Sequence, residues 1–418
     1  MPDNKKQILL ISYVFPPYYG IGGRRWARHT EHLAKLGYTI HVICAKNPFA
    51  KTSLWTKNIS NNPNMIVHQL PAKFPNVLVN FTPSFFQKLL YKFWITVLPL
   101  MTQSNYLDRS AFWKNVMLKK AEVVIKENNI NEVICTGGPF SVLYFATFLK
   151  QTFPTLFLIS DWRDPWTWAP NWGYDTLSKE RMAVEKNMEM LTVQNSDVIT
   201  VPTESMKVAL TERYPAFAEK IKIIHHFFDK EEIVVVPKTP SKKVRMVLYG
   251  TIYINTTHFF EELAPYLAKH LDTFSLDVYT DNPSCRSVFE KHKAGNVNFY
   301  PVLPAKQLFA KFKDYDFVLL VHPSYGKDTV STKFYEIIYS RTPIVLISEP
   351  GLGPDFVVNN RLGYHAAAGE IEKVFTKIQA DKETFQYNGT YDVSPYSIER
   401  ITSEIAGLLE DHPKSKAS

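Results

Sequence analysis

The 418-residue chain carries 48 Lys and Arg against 40 Asp and Glu, and 45% of its residues are hydrophobic. This length exceeds one ordinary domain and predicts two of about 200 residues each. Cys44, Cys135 and Cys285 lack the spacing of metal ligands, so we predict buried, reduced thiols in a cytoplasmic protein. The polar start of the chain does not resemble a signal peptide, and no apolar stretch is long enough to predict a membrane-spanning helix.

The first half of the chain alternates predicted strands and helices. A strand at 7–12, a loop, a helix that ends near Leu36 before Gly37, and a strand at 39–44 form a β-loop-α-β start. Further strands are predicted at 65–69, 132–135, 155–160 and 198–201, with helices between them that include 178–195. This order predicts an α/β fold with a doubly wound parallel sheet.

The loop after the first strand, FPPYYGIGGRR at 15–25, allows a dinucleotide-binding interpretation because Gly20-Ile21-Gly22 follows a strand. Two features disfavour it. Arg25 stands where the third glycine is expected, and Lys46 follows the second strand where an acidic residue would bind the ribose. A dinucleotide-dependent oxidoreductase therefore remains the less favoured alternative.

Positive charge is concentrated in the first part of the chain. Residues 1–160 hold 18 Lys and Arg against 6 Asp and Glu, whereas residues 161–418 hold 30 against 34. No carboxylate occurs between Glu31 and Asp108, a window that contains seven lysines. Such a basic surface predicts an anionic partner, either nucleic acid or a membrane surface.

An apolar stripe in the same window favours lipid over nucleic acid as that partner. Two series at four-residue spacing predict an amphipathic helix over 85–98, with Lys88 and Lys92 off the stripe. This helix either lies on an anionic membrane, as a peripheral attachment to the inner face of the plasma membrane, or packs on its own domain's core. The pattern leaves both possibilities open.

The segment Ser160-Asp161-Trp162-Arg163-Asp164-Pro165-Trp166 follows a predicted strand and therefore lies at the ligand-binding edge of a parallel sheet. An arginine between two carboxylates commonly forms a structural ion pair, here Asp161 with Arg163. A ligand-binding role for the segment at this edge is the alternative interpretation.

A Lys-, Pro- and Val-rich stretch at 230–243 is predicted to be a linker to a second α/β series, whose strands begin at 244, 275, 297, 317 and 343. The sequence Asp314-Tyr315-Asp316 precedes its strand, so we interpret it as a solvated turn and predict no metal site. A final helix is predicted over 397–409.

The most informative segment is Ser331-Thr332-Lys333-Phe334-Tyr335-Glu336, which follows a strand and a loop and opens a helix. The N–H groups of a helix start attract phosphate, Ser331 or Thr332 can cap, and Lys333 adds a positive charge. Glu336 suits the hydroxyls of a ribose, or it simply opposes the helix dipole.

Three segments resemble glycosyltransferase family 4, a group of retaining enzymes with the GT-B fold. They are STKFYEIIYSRTPI at 331–344, FPPYYGIGG at 15–23 and DWRDPW at 161–166. The resemblance implies two Rossmann-like domains that face a central cleft and close over their substrates, at 1–229 for the acceptor and 244–394 for the nucleotide-sugar. It further implies a terminal helix, within 395–418, that packs back toward the first domain.

Residue roles also follow from the resemblance. Glu336 is expected on the donor, and the family's second carboxylate, which seven intervening residues separate from it, falls on Asp328, where Asp replaces the usual Glu. Asp164 is expected to orient the acceptor hydroxyl, because these enzymes retain configuration and the leaving phosphate takes the proton. The donor set is completed by Gly22, Gly23, Arg24, Gly250, Thr251, Asp281, Ser331, Thr332 and Lys333, and the acceptor side by Asp161, Arg163 and Trp166.

The resemblance thus implies transfer of a sugar from a nucleotide-sugar, as co-substrate and without further cofactor, to a saccharide. By analogy that acceptor is polyprenyl-diphosphate-linked and belongs to bacterial surface polysaccharide assembly. Arg341 stands where the family has glycine, and the cations expected after Gly250 are missing. These departures keep open a catalytically silent nucleotide- or saccharide-binding protein of the same fold.

Overall fold

The computed structural model describes residues 6–168, 173–235, 237–323 and 330–411. The chain forms two compact units, one of Met1–His225 with Ile398–Ser418 and one of His226–Ser397. The division between His225 and His226 lies four residues before the predicted end of the first domain at 229. Asp328, the candidate second carboxylate, lies outside the described residues.

In the part of the chain that the structure describes, seven strands form the sheet of the first unit: β1 (Gln7–Ser12), β2 (Thr39–Ala45), β3 (Met65–Leu70), β4 (Glu132–Thr136), β5 (Phe157–Asp161), β6 (Val198–Val201) and β7 (Ile221–Ile223). All pair in parallel, in the order β3-β2-β1-β4-β5-β6-β7. Their apolar runs are buried because helices cover both faces of a doubly wound sheet. The predicted strands are confirmed; only the three-residue β7 was not predicted.

Among the described residues, nine helices of this unit precede the second: α1 (Arg24–Lys35), α2 (Thr56–Ser60), α3 (Asn76–Val79), α4 (Phe85–Met101), α5 (Lys114–Asn128), α6 (Ser141–Thr147), α7 (Leu149–Thr152), α8 (Lys179–Asn195) and α9 (Glu204–Arg213). α1 stops where predicted, since Gly37 adopts a φ of 93°, which favours glycine. Cys44, Cys135 and Cys285 are buried and free, as expected.

Helix α4 confirms the predicted amphipathic helix and extends it to Met101. Its apolar stripe does not pack on the core of the unit. Phe85, Leu89 and Phe93 are 78%, 58% and 52% exposed, and Leu98 is the only buried residue of the helix.

The second unit contains a six-stranded parallel sheet of β8 (Val244–Tyr249), β9 (Phe274–Tyr279), β10 (Val297–Tyr300), β11 (Phe317–Val321), β12 (Ile344–Ile347) and β13 (Gly363–Ala366). The order is β10-β9-β8-β11-β12-β13, so the direction of winding changes between β8 and β11. Its helices are α10 (Thr257–Lys269), α11 (Arg286–Lys291), α12 (Ala305–Lys311), α13 (Thr332–Tyr339), α14 (Leu352–Asn359) and α15 (Ile371–Asp381).

The predicted linker at 230–243 is attached to the second unit by Lys238. Its ammonium group donates to the carbonyl oxygens of Phe312 at 3.0 Å and Tyr315 at 2.9 Å, and to the hydroxyl of Thr342 at 2.8 Å. Burial lowers the pKa of Lys238 to about 8. This stretch of chain is therefore held by specific hydrogen bonds.

The last helix, α16 (Ile398–Glu410), belongs to the first unit. Ile398, Ile401 and Ile405 are buried, and the hydroxyl of Thr402 lies 2.9 Å from Nδ1 of His29 on α1. The first unit is therefore assembled from both ends of the chain.

Candidate functional site

A cavity of about 240 Å³ opens at the point where the winding of the second sheet reverses. The ends of β8 and β11, the residues that follow them and the start of α13 form its wall. The lining residues are Leu248, Thr251, Ile252, Tyr253, Thr256, Phe260, Leu320, Val321, His322, Ser331, Thr332 and Lys333. In open α/β sheets, ligands bind outside the carboxyl ends of the strands at such a reversal.

Ser331 occupies the N-cap position of α13 without capping it. Its side chain accepts no hydrogen bond from the first turn of the helix, and its buried hydroxyl has no partner among the described residues. Buried hydroxyls are usually paired. Because Ser331 also lines the cavity, its hydroxyl and the adjacent helix start present hydrogen-bonding groups to a ligand.

Lys333 reaches from α13 to the end of β8. Its ammonium nitrogen donates to the carbonyl oxygen of Tyr249 at 2.8 Å and lies 5.1 Å from the centre of that residue's ring. Burial lowers the pKa of Lys333 to about 8, and the nearby carboxylate of Glu336 opposes the decrease. The cavity therefore contains a partly desolvated cation, which binds an anion more strongly than a solvated one.

Gly250 makes room for Lys333. It has a φ of 92°, and a β-carbon at this position would lie 2.8 Å from the Lys333 nitrogen. Thr251 follows, exposed and at the cavity wall. The structure thus brings together Gly250, Thr251, Ser331, Thr332 and Lys333.

Glu336 and Asp281 lie elsewhere in the second unit. Glu336 is only 5% exposed and does not line the cavity; it lies one helical turn beyond Thr332. Asp281 is exposed, follows β9 and is also absent from the cavity wall. Their contact with a donor remains a prediction.

His322 is a cavity residue that the sequence analysis missed. It directly follows β11, and its ring packs 5.5 Å from that of Phe334. A polar residue immediately after a buried strand was the available signal.

In the first unit, winding reverses between β1 and β4, and Arg163 connects the loops that follow these two strands. Its guanidinium donates to the carbonyl oxygens of Gly137 at 3.0 Å, Gly138 at 2.8 Å, and Gly22. Gly138 has a φ of 76°, and a β-carbon there would lie 2.6 Å from the guanidinium. Arg163 therefore fixes the shape of this edge.

The predicted ion pair between Asp161 and Arg163 is replaced by a different network. Asp161 is buried, and its nearest charged partner is Arg25 at 3.6 Å. It also accepts hydrogen bonds of 2.7–2.9 Å from Trp26 Nε1 and from the hydroxyls of Thr136 and Thr200. Its carboxylate is thus engaged within the unit.

Trp166, expected on the acceptor side, is fully buried in this structure. Its Nε1 donates to Glu185 at 2.7 Å, and its ring stacks on Phe140 with 5.6 Å between centroids. It therefore supports the edge from within.

Asp164 differs from Asp161 and Trp166. It is half-buried and makes no hydrogen bond or ion pair with any residue that the structure describes. Burial raises its pKa, and the positive charge of Arg163 opposes that increase. A carboxyl group at a sheet edge without an internal partner is available to an external hydroxyl.

The glycine loop after β1 leads directly into α1. Gly23 is closely packed, since a β-carbon there would lie 3.2 Å from the backbone of Val14 and Phe15. Arg24 opens α1 and is half-buried. Arg25, which stands where a dinucleotide fingerprint would have its third glycine, is buried and donates to the carbonyl oxygens of Ile224 and His225.

The sequence matches no family model and no curated protein. Solved structures do match. HepE from Anabaena, in complex with UDP, is 14% identical over 97% of this chain and 99% of that one, with a TM-score of 0.63. WaaG, a glycosyltransferase involved in lipopolysaccharide biosynthesis, is 11% identical over 97% and 100%, with a TM-score of 0.60.

A putative UDP-N-acetylglucosamine 2-epimerase from Listeria monocytogenes is 13% identical over 98% of this chain and 96% of that one, with a TM-score of 0.56. At such identities the likeness shows the fold alone. The chain has two Rossmann-like α/β domains of the GT-B type, which confirms the predicted fold class.

Proposed function

We propose that the chain is a nucleotide-sugar-dependent glycosyltransferase whose second unit binds the donor. The cavity at the winding reversal supports this most directly. It combines a helix start, the hydroxyls of Ser331 and Thr332, and the Lys333 cation, which together suit a diphosphate. The UDP bound in the similar HepE structure agrees with this type of ligand.

The first unit binds the acceptor in this proposal, with Asp164 orienting the attacking hydroxyl. The edge formed by Arg163 and the glycine loops holds Asp164 in place while leaving its carboxyl without an internal partner. We also propose membership of glycosyltransferase family 4, retention of configuration, and a reaction without metal. In such a reaction the positive charge at Lys333 stabilises the departing diphosphate.

The proposed acceptor is a saccharide on a polyprenyl diphosphate, used in bacterial surface polysaccharide synthesis at the inner face of the plasma membrane. Similarity to WaaG supports this class of pathway. Within the described residues, no helix has both the length and the apolar character needed to cross a membrane.

A thermal-shift screen of UDP-, GDP- and dTDP-sugars tests donor binding. We expect one class to raise the Tm of the wild type, with a smaller shift for Glu336→Gln and an unchanged shift for Glu370→Gln, an exposed control in the same unit. The absence of a shift with every nucleotide-sugar at millimolar concentration would overturn the donor site.

Nucleotide release then separates the candidate activities. A transferase slowly hydrolyses its donor without acceptor, giving free sugar and nucleoside diphosphate, whereas a silent binding protein releases neither. Conversion of a UDP-sugar to its epimer without net nucleotide release would instead identify an epimerase, the activity named for one similar structure.

A further inference from the structure

Helix α4 exposes an apolar surface that the rest of its unit does not cover. Phe86 and Leu100 are 74% and 84% exposed. The other exposed apolar residues of the helix are Phe85, Leu89, Leu90, Tyr91, Phe93 and Met101. At about 100° per residue, all of these except Tyr91 lie on one half of the helix surface, and the buried Leu98 lies on the other half. The apolar half faces away from the rest of its own unit.

The helix is nevertheless firmly attached at its ends. Ser84 caps its start by accepting a hydrogen bond from the Gln87 N–H at 3.2 Å. At the other end, the Arg181 guanidinium donates to the carbonyl oxygens of Thr102 at 2.6 Å, Ser104 at 2.8 Å, and Pro99. Most of the stability of a helix in a protein comes from its tertiary contacts, and here those at the two ends of α4 hold it while its apolar half remains uncovered.

Positive charge is concentrated in the part of the sequence that contains the helix. The seven lysines of the acid-free window, which are Lys35, Lys46, Lys51, Lys57, Lys73, Lys88 and Lys92, are all exposed. A convex apolar half-cylinder bordered by Lys88 and Lys92, within a lysine-rich part of the sequence, matches an anionic lipid surface, which accepts protruding aromatic and aliphatic side chains without a preformed groove.

The end of α4 is also continuous with the segment that supports the proposed acceptor edge. Asp108 accepts hydrogen bonds from the backbone N–H groups of Phe140 and Ser141, both at 2.9 Å, at the end of the loop that follows β4. The N–H of Asn105 donates to Glu185 at 2.7 Å, and Glu185 also accepts the Trp166 bond. The position of α4 is therefore linked to the edge that carries Asp164.

We propose that α4 lies in the interfacial layer of an anionic membrane, with Phe85, Phe86, Leu89, Leu90, Phe93 and Leu100 inserted among the lipids. The proposal has a second part, which depends on the proposed transferase function: docking of α4 keeps the acceptor edge beside the membrane, where lipid-linked saccharides are presented.

Flotation of the full chain with vesicles tests the first part without any assay of activity. We expect the wild type to float with phosphatidylglycerol-containing vesicles at low salt and to remain at the bottom with pure phosphatidylcholine. The triple variant Phe85→Gln, Leu89→Gln, Phe93→Gln should lose at least tenfold in partitioning, because its substitutions remove inserted apolar groups. A control with exposed apolar residues changed elsewhere in the unit, Val123→Gln, Met190→Gln, Val208→Gln, should float like the wild type.

Wild-type protein that stays at the bottom with anionic vesicles, or a triple variant that floats as well as the control, would overturn the proposal. A wild-type dimer in sedimentation analysis that the triple variant converts to a monomer, without flotation, would assign α4 to self-association. Donor hydrolysis should be equal in all three proteins, whereas transfer to a lipid-linked acceptor should fall at least tenfold in the triple variant alone. Loss of hydrolysis in every protein would reject the transferase function and leave the flotation result intact.

Discussion

The two sheets share a parallel topology with a reversal of winding, yet they use the polar groups at that reversal in opposite ways. In the first unit, Asp161 and Arg163 make bonds to their own loops and helices. In the second, Ser331 has no described partner, and Lys333 makes one hydrogen bond beside a cavity. The polar groups at the reversal of winding in the first unit stabilise that unit, whereas those at the reversal in the second unit are available to a ligand.

Removal of the Asp161 carboxylate should have the largest effect of any substitution at the two reversals of winding. Asp161→Ala leaves Arg25 buried without its carboxylate and three donors without an acceptor. Breaking a buried ion pair costs about 3–5 kcal/mol, so we expect the first unit to unfold at markedly lower urea concentration. Asp281→Ala, at an exposed position after β9, is the control. A midpoint within error of the wild type would show that Asp161 does not hold the edge.

Asp164→Asn should separate activity from stability. Because this carboxyl makes no described bond and its pKa is raised by burial, its neutralisation should change the free energy of unfolding by less than about 0.5 kcal/mol. Loss of hydroxyl orientation should lower the transfer rate by about 100-fold. Steady-state kinetics in the presence of acceptor measure the transfer rate. Titrations with the donor measure its affinity, which should not change. A transfer rate for Asp164→Asn equal to that of the wild type would show that Asp164 is not part of the acceptor site.

Lys333→Ala tests whether the cavity at the reversal of winding in the second sheet binds the donor. Loss of a charged hydrogen-bonding group, worth about 1.5–3 kcal/mol, should weaken nucleotide-sugar binding by roughly 10- to 100-fold in isothermal titration calorimetry. Lys306→Ala, at an exposed lysine of the same unit, should bind normally. Equal affinity in both variants would mean that the diphosphate binds elsewhere.

The lowered pKa of Lys333 predicts a pH effect of smaller size. Donor binding requires the protonated ammonium, so affinity should be constant below the free-protein pKa of about 8 and should fall above it. The decrease is at most about tenfold per pH unit and ends where the pKa of the complex is reached. Lys333→Ala should show no such decrease, which separates this lysine from Lys238, whose pKa is also about 8.

Metal removal should have no effect at all. The diphosphate is neutralised by Lys333 and the start of α13 in the proposed function, so transfer rates with excess EDTA should equal those with added Mg²⁺. A requirement for the divalent ion would show that these groups are insufficient.

The sequence predicted those features that depend on neighbouring residues. Apolar runs located the strands, often to the residue, as for Val244–Tyr249, and Gly37 marked the end of α1. The position of Lys333 beside a sheet edge followed from its place after a strand and a loop. Contacts between segments that are far apart in the sequence could not be predicted in this way. The partner of Asp161, for example, proved to be Arg25, which is 136 residues away in the sequence.

At α4, helical periodicity likewise predicted the apolar side of the helix but not what that side contacts. The spacing of Phe85, Leu89 and Phe93 predicts that one side of a helix is apolar, since i and i+4 lie on the same face. Periodicity does not say whether that side meets a core or another phase, because both present the same pattern. The exposed fractions of Phe85, Leu89 and Phe93, which are 78%, 58% and 52%, resolved the question.

The attachment of α16 to α1 gives the protein an unusual order of assembly during translation. His29 and Tyr38 meet Thr402 and Glu410 only after the whole second unit has been synthesised. Until then the ribosome-bound first unit exposes the apolar surface that Ile398, Ile401 and Ile405 later cover. The first domain to emerge is thus the last to be completed.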